Sequence, residues 1–435
     1  MPPSVLDGWR GWCSVMLGSK LLELARQNAG QTMGLRMGVV GVNLAVMLGL
    51  AWLLGFETFG RLAALWGASL VVGCVLSLGG PVILLRMLTD GKGMRGRDIC
   101  KVCVIYPAVL ALVIGLVASV VWPFWPWTPV LCAGFFANAL GCLASVMRAL
   151  GSVQVSMLVR DGGPQVALGF AGVFAQGAGA GAVLMVCAIL MAAIGIAGGL
   201  WVLRHRRMPS ISSVAARPVW NMSLWAASVL GMIVAQIDLV MGSTVISAEQ
   251  LGVYAVLRRL ANLVALPVTV ATWVSAPAVS AAHGAADTKA LARASAHGSK
   301  IAMLPGAMLF GVGVVALPFM PLVLPYMAGV GSAAVLALLL LGALGQVVFT
   351  SNFTVATLCE MPALAMRARL LMVVLYLLWF QWWSAELTMV LNALGYVGAL
   401  TLGGAMLWWA IWRQLGVDTS AAVLLRAKGG QWKTS

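Results

Sequence analysis

Apolar residues in this chain do not alternate with polar ones; they run on. Stretches of about twenty apolar residues, the length a helix needs to cross a bilayer, follow one another from residue 34 to residue 412 with short polar breaks between. They predict twelve membrane-spanning helices over 34–54, 60–85, 102–122, 127–148, 155–176, 180–202, 219–241, 250–274, 301–322, 331–356, 364–383 and 387–412. In the fifth, Arg160, Asp161 and Pro164 delay the start or break the helix. The ten-residue alternating segments of a membrane barrel are missing. The fold class expected is an all-α polytopic membrane protein. Residues 1–33 mix Trp, Leu and Met with Arg10, Lys20 and Arg26. They read as an interfacial amphipathic segment rather than a cleavable signal.

Composition sharpens this picture. The chain is 62% hydrophobic and only 9% charged, against about a quarter charged in soluble domains. Its net charge of +15 is a matter of placement, not a nucleic-acid signal. With both termini cytoplasmic, the inner segments are 1–36, 86–101, 148–160, 203–218, 283–300, 357–369 and 413–435. All but three of the 27 Lys and Arg residues then lie on the inner side, as the positive-inside rule requires. The exceptions are Arg61, Arg258 and Arg259. Loops such as "PFWPWT" (123–128) and "QGAGAG" (176–181) leave no room for a soluble domain, which weighs against an enzyme. "CKVC" (Cys100–Cys103) has no second pair or nearby His to complete a metal site. "GKGMRG" (Gly91–Gly96) has no preceding strand to make it a dinucleotide loop. His205, His283 and His297 are scattered through loops. No metal, cofactor or nucleic acid is expected.

A repeat organises the spans. "GFETFGRLAAL" (Gly55–Leu65) aligns without gaps with "SAEQLGVYAVL" (Ser247–Leu257), matching Glu57 to Glu249, Gly60 to Gly252, Ala63 to Ala255 and Leu65 to Leu257. Each copy joins the first two spans of a six-span half. The two glutamates are expected to cap the adjoining helices. An even number of spans per half makes the repeats parallel, a layout that in transporters encloses the substrate path. The expected domains are 34–202 and 219–412, two six-helix bundles around a central cavity. A cytoplasmic linker (203–218) joins them and a basic tail (413–435) comes last, with both termini inside.

Three stretches are similar to the polysaccharide, or lipid-linked oligosaccharide, flippases of the multidrug/oligosaccharidyl-lipid/polysaccharide exporter superfamily. They are "GFETFGRLAAL…LGGPVILLRML", "IDLVMGSTVISAEQLGVYAVLRRLANLVALP…APAVS" (Ile237–Ser280) and "RQLGVD" (Arg413–Asp418). Asp238, Gly242, Gly252 and Tyr254 stand at the family's motif positions. The resemblance implies a carrier of the bacterial cytoplasmic membrane. Its expected cargo is an oligosaccharide on polyprenyl diphosphate, flipped by alternating access for surface polysaccharide synthesis, with the polysaccharide polymerase and export machinery as partners. A cation-coupled multidrug and toxin extrusion antiporter is the alternative, and a membrane-embedded glycosyltransferase or polymerase a second one.

The candidate site starts from charge that an inserting helix tolerates poorly. A central arginine costs about 2.5–3.5 kcal/mol on insertion scales, yet Arg258 and Arg259 are adjacent in an apolar run. On one continuous helix Asn262, Thr269 and Thr272 fall within about 40° of Arg258, while Arg259 points to the stripe's edge. Arginine suits phosphate because its fork donates paired hydrogen bonds and keeps its charge. One or both arginines would therefore face the cavity with Asn262. Against this stands an ion pair with Asp238, and the two arginines could divide these roles. The stripe favours Arg258 for the cavity; the family pattern favours Arg259. Arg36 is a phosphate contact at the inner mouth or a snorkelling anchor, and Arg61 an outer-rim contact. Asp238 is alternatively the site of a coupling cation.

Overall fold

The computed structural model describes residues 3–89, 96–121, 123, 125–204, 222–319 and 331–426, with most side chains from residue 34 onward. All of "GKGMRG" but its last glycine, nearly all of the linker and the end of the basic tail lie outside the described residues. Every regular element among the described residues is helical, without a strand.

Helix α1 runs from Pro3 to Leu76 and changes direction at Gly55, whose φ of 75° and ψ of 155° only glycine adopts without strain. Residues 34–76 would reach about 65 Å if straight, roughly twice the apolar thickness of a bilayer. Side-chain register shows that the chain instead turns back. Gly162 abuts Val39, Gly169 abuts Val46 and Gly172 abuts Leu50, so α7 (Gly163–Phe174) runs alongside the arm before Gly55. Gly73 meets Gly134 and Gly80 meets Cys142, so α5 (Trp127–Ala149) runs alongside the arm after it and α2 (Gly80–Thr89). Leu140 with Gly195 and Leu143 with Gly198 set α8 (Ala180–Arg204) parallel to α5, while a short turn makes α7 and α8 antiparallel. The two arms of α1 therefore oppose each other, a hairpin hinged on one glycine.

The remaining N-terminal helices are α3 (Gly96–Cys100), α4 (Tyr106–Val121) and α6 (Val153–Met157). A π-turn at Lys101–Ile105 precedes α4, and another at Leu158–Gly162 separates α6 from α7. The second falls where Arg160, Asp161 and Pro164 foretold a break. The C-terminal half holds α9 (Met222–Gly242), α10 (Ala248–Asn262), α11 (Leu266–Gly284), α12 (Thr288–Ala316), α13 (Ser332–Val348), α14 (Asn352–Leu358), α15 (Pro362–Trp383), α16 (Met389–Leu415) and α17 (Val423–Arg426). Pro107 and Pro267 follow directly on a π-turn and a 3₁₀ turn within continuous helical backbone, and Pro305 lies inside α12.

Nine described helices are long and apolar enough to cross a membrane, or ten when the bent pair α13 and α14 counts as one. The chain is a multi-pass membrane protein. The expected twelve is not reached on that measure, because α1 holds two arms and the fifth expected span is cut in three by its π-turn. The apolar surface also fits lipid: α4 exposes Val109, Leu112, Leu116 and Val120, and α12 exposes Leu304, Met308 and Val312. These would be an aggregation hazard in water.

The repeat recognised in the sequence is where the halves touch most closely. A methyl group on Gly60 would overlap the carbonyl oxygen of Ala248, and one on Gly252 would overlap that of Phe56. Gly60 corresponds to Gly252 in the repeat, and Phe56 to Ala248, so the contact is reciprocal. Two helix starts cross backbone to backbone, as small residues allow in membranes. The expected glutamate caps are replaced by other bonds. Ser247 caps α10 by accepting from the Gln250 N–H at 3.3 Å, and Glu57 pairs with Arg61 at 2.7 Å.

At the other end of the C-terminal half, the segment after α16 folds back. Thr419 donates to Asn352 Oδ1 (2.6 Å), Asn352 donates to the Gly404 carbonyl (2.8 Å), and Ala421 N–H donates to the Val348 carbonyl (2.9 Å). Asp418 accepts from Trp408 Nε1 and from Ser420. Thr419 and Ala421, just past the "RQLGVD" motif, thereby stitch the end of the last long helix to the break between α13 and α14.

Candidate functional site

The two adjacent arginines point to different places. Arg258 is buried at the centre of a polar network. Its Nε lies 2.9 Å from Asp238 Oδ2. Its Nη2 donates to the Ala235 carbonyl and, at 3.0 Å, to the Tyr396 hydroxyl. Its guanidinium also stands 4.9 Å from the Tyr396 ring centroid. Tyr254, one helical turn before Arg258 and so on the same face, donates to Asp238 Oδ2 at 2.7 Å. Asn392 donates to the Asp238 carbonyl, and Tyr376 donates to Asn392 Oδ1 at 2.6 Å. Four helices, α9, α10, α15 and α16, are thus tied around one ion pair. Asp238 and Asn392 are fully buried.

A pair at this depth carries a desolvation penalty that only a well-bonded shell offsets. The shell is nearly complete: only Asp238 Oδ1 and the hydrogen-bonding capacity of Arg258 Nε lack a partner in it. In this conformation Arg258 is engaged within the protein, and so is Asp238.

Arg259 is half-buried and projects the other way, toward the N-terminal half. With Leu239 and Ala255 it borders a small space against Met47, Phe59, Leu62, Ala63 and Trp66 of α1 and Leu168 of α7. The room there is about 10 Å³, near the minimum for a single water. Among the described residues no hydrogen bond or ion pair engages it, and Asp238 acts on it only across a distance. Arg259 is therefore a cation held between two halves that are closed upon it.

The polar stripe drawn on one continuous helix is divided. Asn262 is exposed and ends α10, and a 3₁₀ turn at Leu263–Ala265 separates it from α11. Fewer residues per turn in that segment rotate α11 relative to α10. Thr272 and Ala276 line an open cavity of about 540 Å³ bordered by α9, α11, α13, α14, α15 and α16, which Arg258 does not line. Arg36 is half-buried on the first arm of α1, within electrostatic reach of Arg160 and Asp161 in the π-turn. Arg61 is exposed and paired with Glu57.

One cavity residue escaped the sequence reading. Arg369 lies eight residues into α15 and faces the 540 Å³ cavity, yet in sequence it counts among inner-loop charges with Arg367. Its position past Pro362, which opens a helix, is the signal that it stands inside the membrane. Tyr396, which carries the network to the cavity wall, offered no such signal.

No family model and no curated protein matches the chain; solved structures do. An inward-facing multidrug resistance MATE family transporter of the MOP superfamily aligns with 87% of this chain and 94% of its own, at a TM-score of 0.63 and 13% identity. The chain has the MATE-type fold. An outward-facing MATE family transporter of the MOP superfamily aligns at a TM-score of 0.56 and 12% identity, over 88% and 94%. The lipid II flippase MurJ, in an inward closed conformation, aligns at 0.58 and 10% identity, over 88% and 87%. At these identities the likeness is one of fold. A MATE-type fold is thus shared by a multidrug resistance transporter and a lipid II flippase among its neighbours.

Proposed function

We propose that the protein flips a polyprenyl-diphosphate-linked oligosaccharide across the bacterial cytoplasmic membrane by alternating access of its halves, for surface polysaccharide synthesis. One observation carries the reading: the charge offered to a cargo inside the membrane is positive. Arg259 has no ion-pair partner among the described residues, whereas the buried acid Asp238 is occupied by Arg258. A diphosphate headgroup needs cations and hydrogen bonds in place of water. An exporter of organic cations needs an available acid. With both termini inside, the Gly60–Gly252 crossing closes the outer end. Opening outward would part the halves at this crossing and expose Arg259 to the path, with Arg36 at the inner mouth. The reading is of a carrier rather than an enzyme.

The likeness to the MATE transporter supports a second reading, cation-coupled drug extrusion, in which Asp238 would release Arg258 to bind H⁺ or Na⁺. Expression in cells lacking a surface-glycan flippase separates the two. Restored glycan that depends on Arg259 supports the first. Ethidium efflux abolished by Asp238→Asn, without restored glycan, supports the second and removes the first.

A further inference from the structure

The 540 Å³ cavity of the C-terminal half has a wall chemistry that the diphosphate reading does not use. Four threonines, Thr272, Thr350, Thr354 and Thr357, line it. Each has committed its proton. Thr272 donates to the Val268 carbonyl, Thr350 to that of Val347, Thr357 to that of Phe353, and Thr354 to Thr272 Oγ1. What these hydroxyls still offer an occupant is oxygen lone pairs. The threonines therefore accept hydrogen bonds and suit a ligand rich in O–H donors, with the Gln346 amide beside them able to donate as well as accept. Phe349 and Tyr396 add ring faces, against which the C–H face of such a ligand can pack.

The same wall carries one cation. Arg369 donates from Nη1 to the Ala227 carbonyl at 2.6 Å and stacks 4.6 Å from the Phe353 ring centroid. Gly231 lets the guanidinium lie flat against α9; a methyl there would stand 3.1 Å from its central carbon. Held on one side by a carbonyl and on one face by a ring, the guanidinium keeps its Nε–Nη2 edge for a bidentate partner. Among the described residues no carboxylate lies within ion-pair distance of it.

This combination discriminates between ligand classes. An organic cation is repelled by Arg369. A diphosphate, at two or more negative charges, would meet a single cation beside four threonines that have already committed their protons, a poor complement. A sugar that bears a carboxylate satisfies every group: its acid takes the Arg369 edge and its hydroxyls donate to the threonines. The volume lies within the roughly 300–1,000 Å³ of small-ligand sites. We propose that this cavity is a saccharide subsite for an acidic, carboxylate-bearing sugar of the transported glycan. The inference rests on the flippase reading for its cargo, and it places the glycan's acid in the C-terminal half, away from Arg259.

The test is direct binding to the purified full-length protein, followed by intrinsic tryptophan fluorescence. The probes are a water-soluble uronic-acid disaccharide, its uncharged counterpart and inorganic pyrophosphate. Wild type binds the uronate disaccharide at least about tenfold more tightly than the neutral one, the scale of one charge-assisted contact, and pyrophosphate does not compete. Arg369→Gln removes that preference. Thr354→Val and Gly231→Ala weaken uronate binding with Arg369 still present, and these two decide the matter if Arg369→Gln does not fold. Equal binding of the two disaccharides, competition by pyrophosphate, or binding untouched by all three substitutions overturns the subsite. Glycan export by the wild type in cells is read separately. Export without uronate binding overturns the subsite alone, while Arg369-dependent uronate binding without export sustains the subsite and removes the flippase reading.

Discussion

The two copies of the repeated hairpin share one glycine crossing but differ on either side of it, Gly55 turning with positive φ where its counterpart Ser247 is an extended N-cap. Gly60 and Gly252 pack reciprocally on the backbone of the opposite copy. Farther in, positions 192 residues apart carry unrelated chemistry: Val46, Leu62 and Trp66 in the first copy, Asp238, Tyr254 and Arg258 in the second. Leu62 and Trp66 are fully buried in an apolar core, and Asp238, Tyr254 and Arg258 are buried as a bonded set. Duplication has been retained where backbones touch, because only glycine fits there. It has been abandoned where side chains fill space, because apolar and paired polar groups both make a stable interior. The next position shows the functional side of the divergence. Gly67 abuts Gln236 of α9, while its counterpart Arg259 brings a cation to the interface between halves.

The largest effect is expected from breaking the polar copy at its acid. Asp238→Ala leaves Arg258 buried without its counter-ion, and destabilisation of about 3–5 kcal/mol is expected, read as a fall in thermal unfolding temperature in detergent. Converting the whole triple to the apolar version, with Asp238→Val, Tyr254→Leu and Arg258→Trp together, should recover most of that loss, since apolar replacements of buried ion pairs are often neutral or better. No recovery would mean that the network specifies the packing of α9, α10, α15 and α16 beyond balancing charge.

Next come the glycines. Gly60→Ala and Gly252→Ala should each destabilise by about 1–3 kcal/mol through overpacking. Their effects should match, because the contact is reciprocal; clearly unequal effects would show that the copies do not share the crossing. The smallest effect is expected at the rim. Arg61→Ala removes an exposed pair with Glu57 worth about 0–1 kcal/mol and should leave unfolding temperature and glycan export nearly unchanged. A strong export defect there would restore Arg61 as a substrate contact.

These contrasts also mark what could be read from the chain alone. Lipid permits few backbone solutions, so long apolar runs, the hairpin near Gly55 and the break near Arg160 were legible as local chemistry. The pairing of Gly60 with Gly252 was visible as a match in sequence but not as a contact. Helix irregularities were harder. The 3₁₀ turn at Leu263–Ala265 rotates α11 out of the stripe that began at Arg258, and no residue in "LVA" announces it. The fates of Arg258 and Arg259 depended on where Asp238 of α9 and Tyr396 of α16 came to rest, which is tertiary information. Arg369 was hidden by its neighbour Arg367, since a positive-inside count does not distinguish a loop charge from one a few turns up the helix.

The central claim is that the second hairpin holds one arginine for the fold and one for the cargo. It is tested most directly by surface glycan per copy of membrane-inserted protein for Arg259→Gln in flippase-deficient cells. The account predicts normal protein levels and unfolding temperature with glycan export lost. Full export at normal protein level would contradict it.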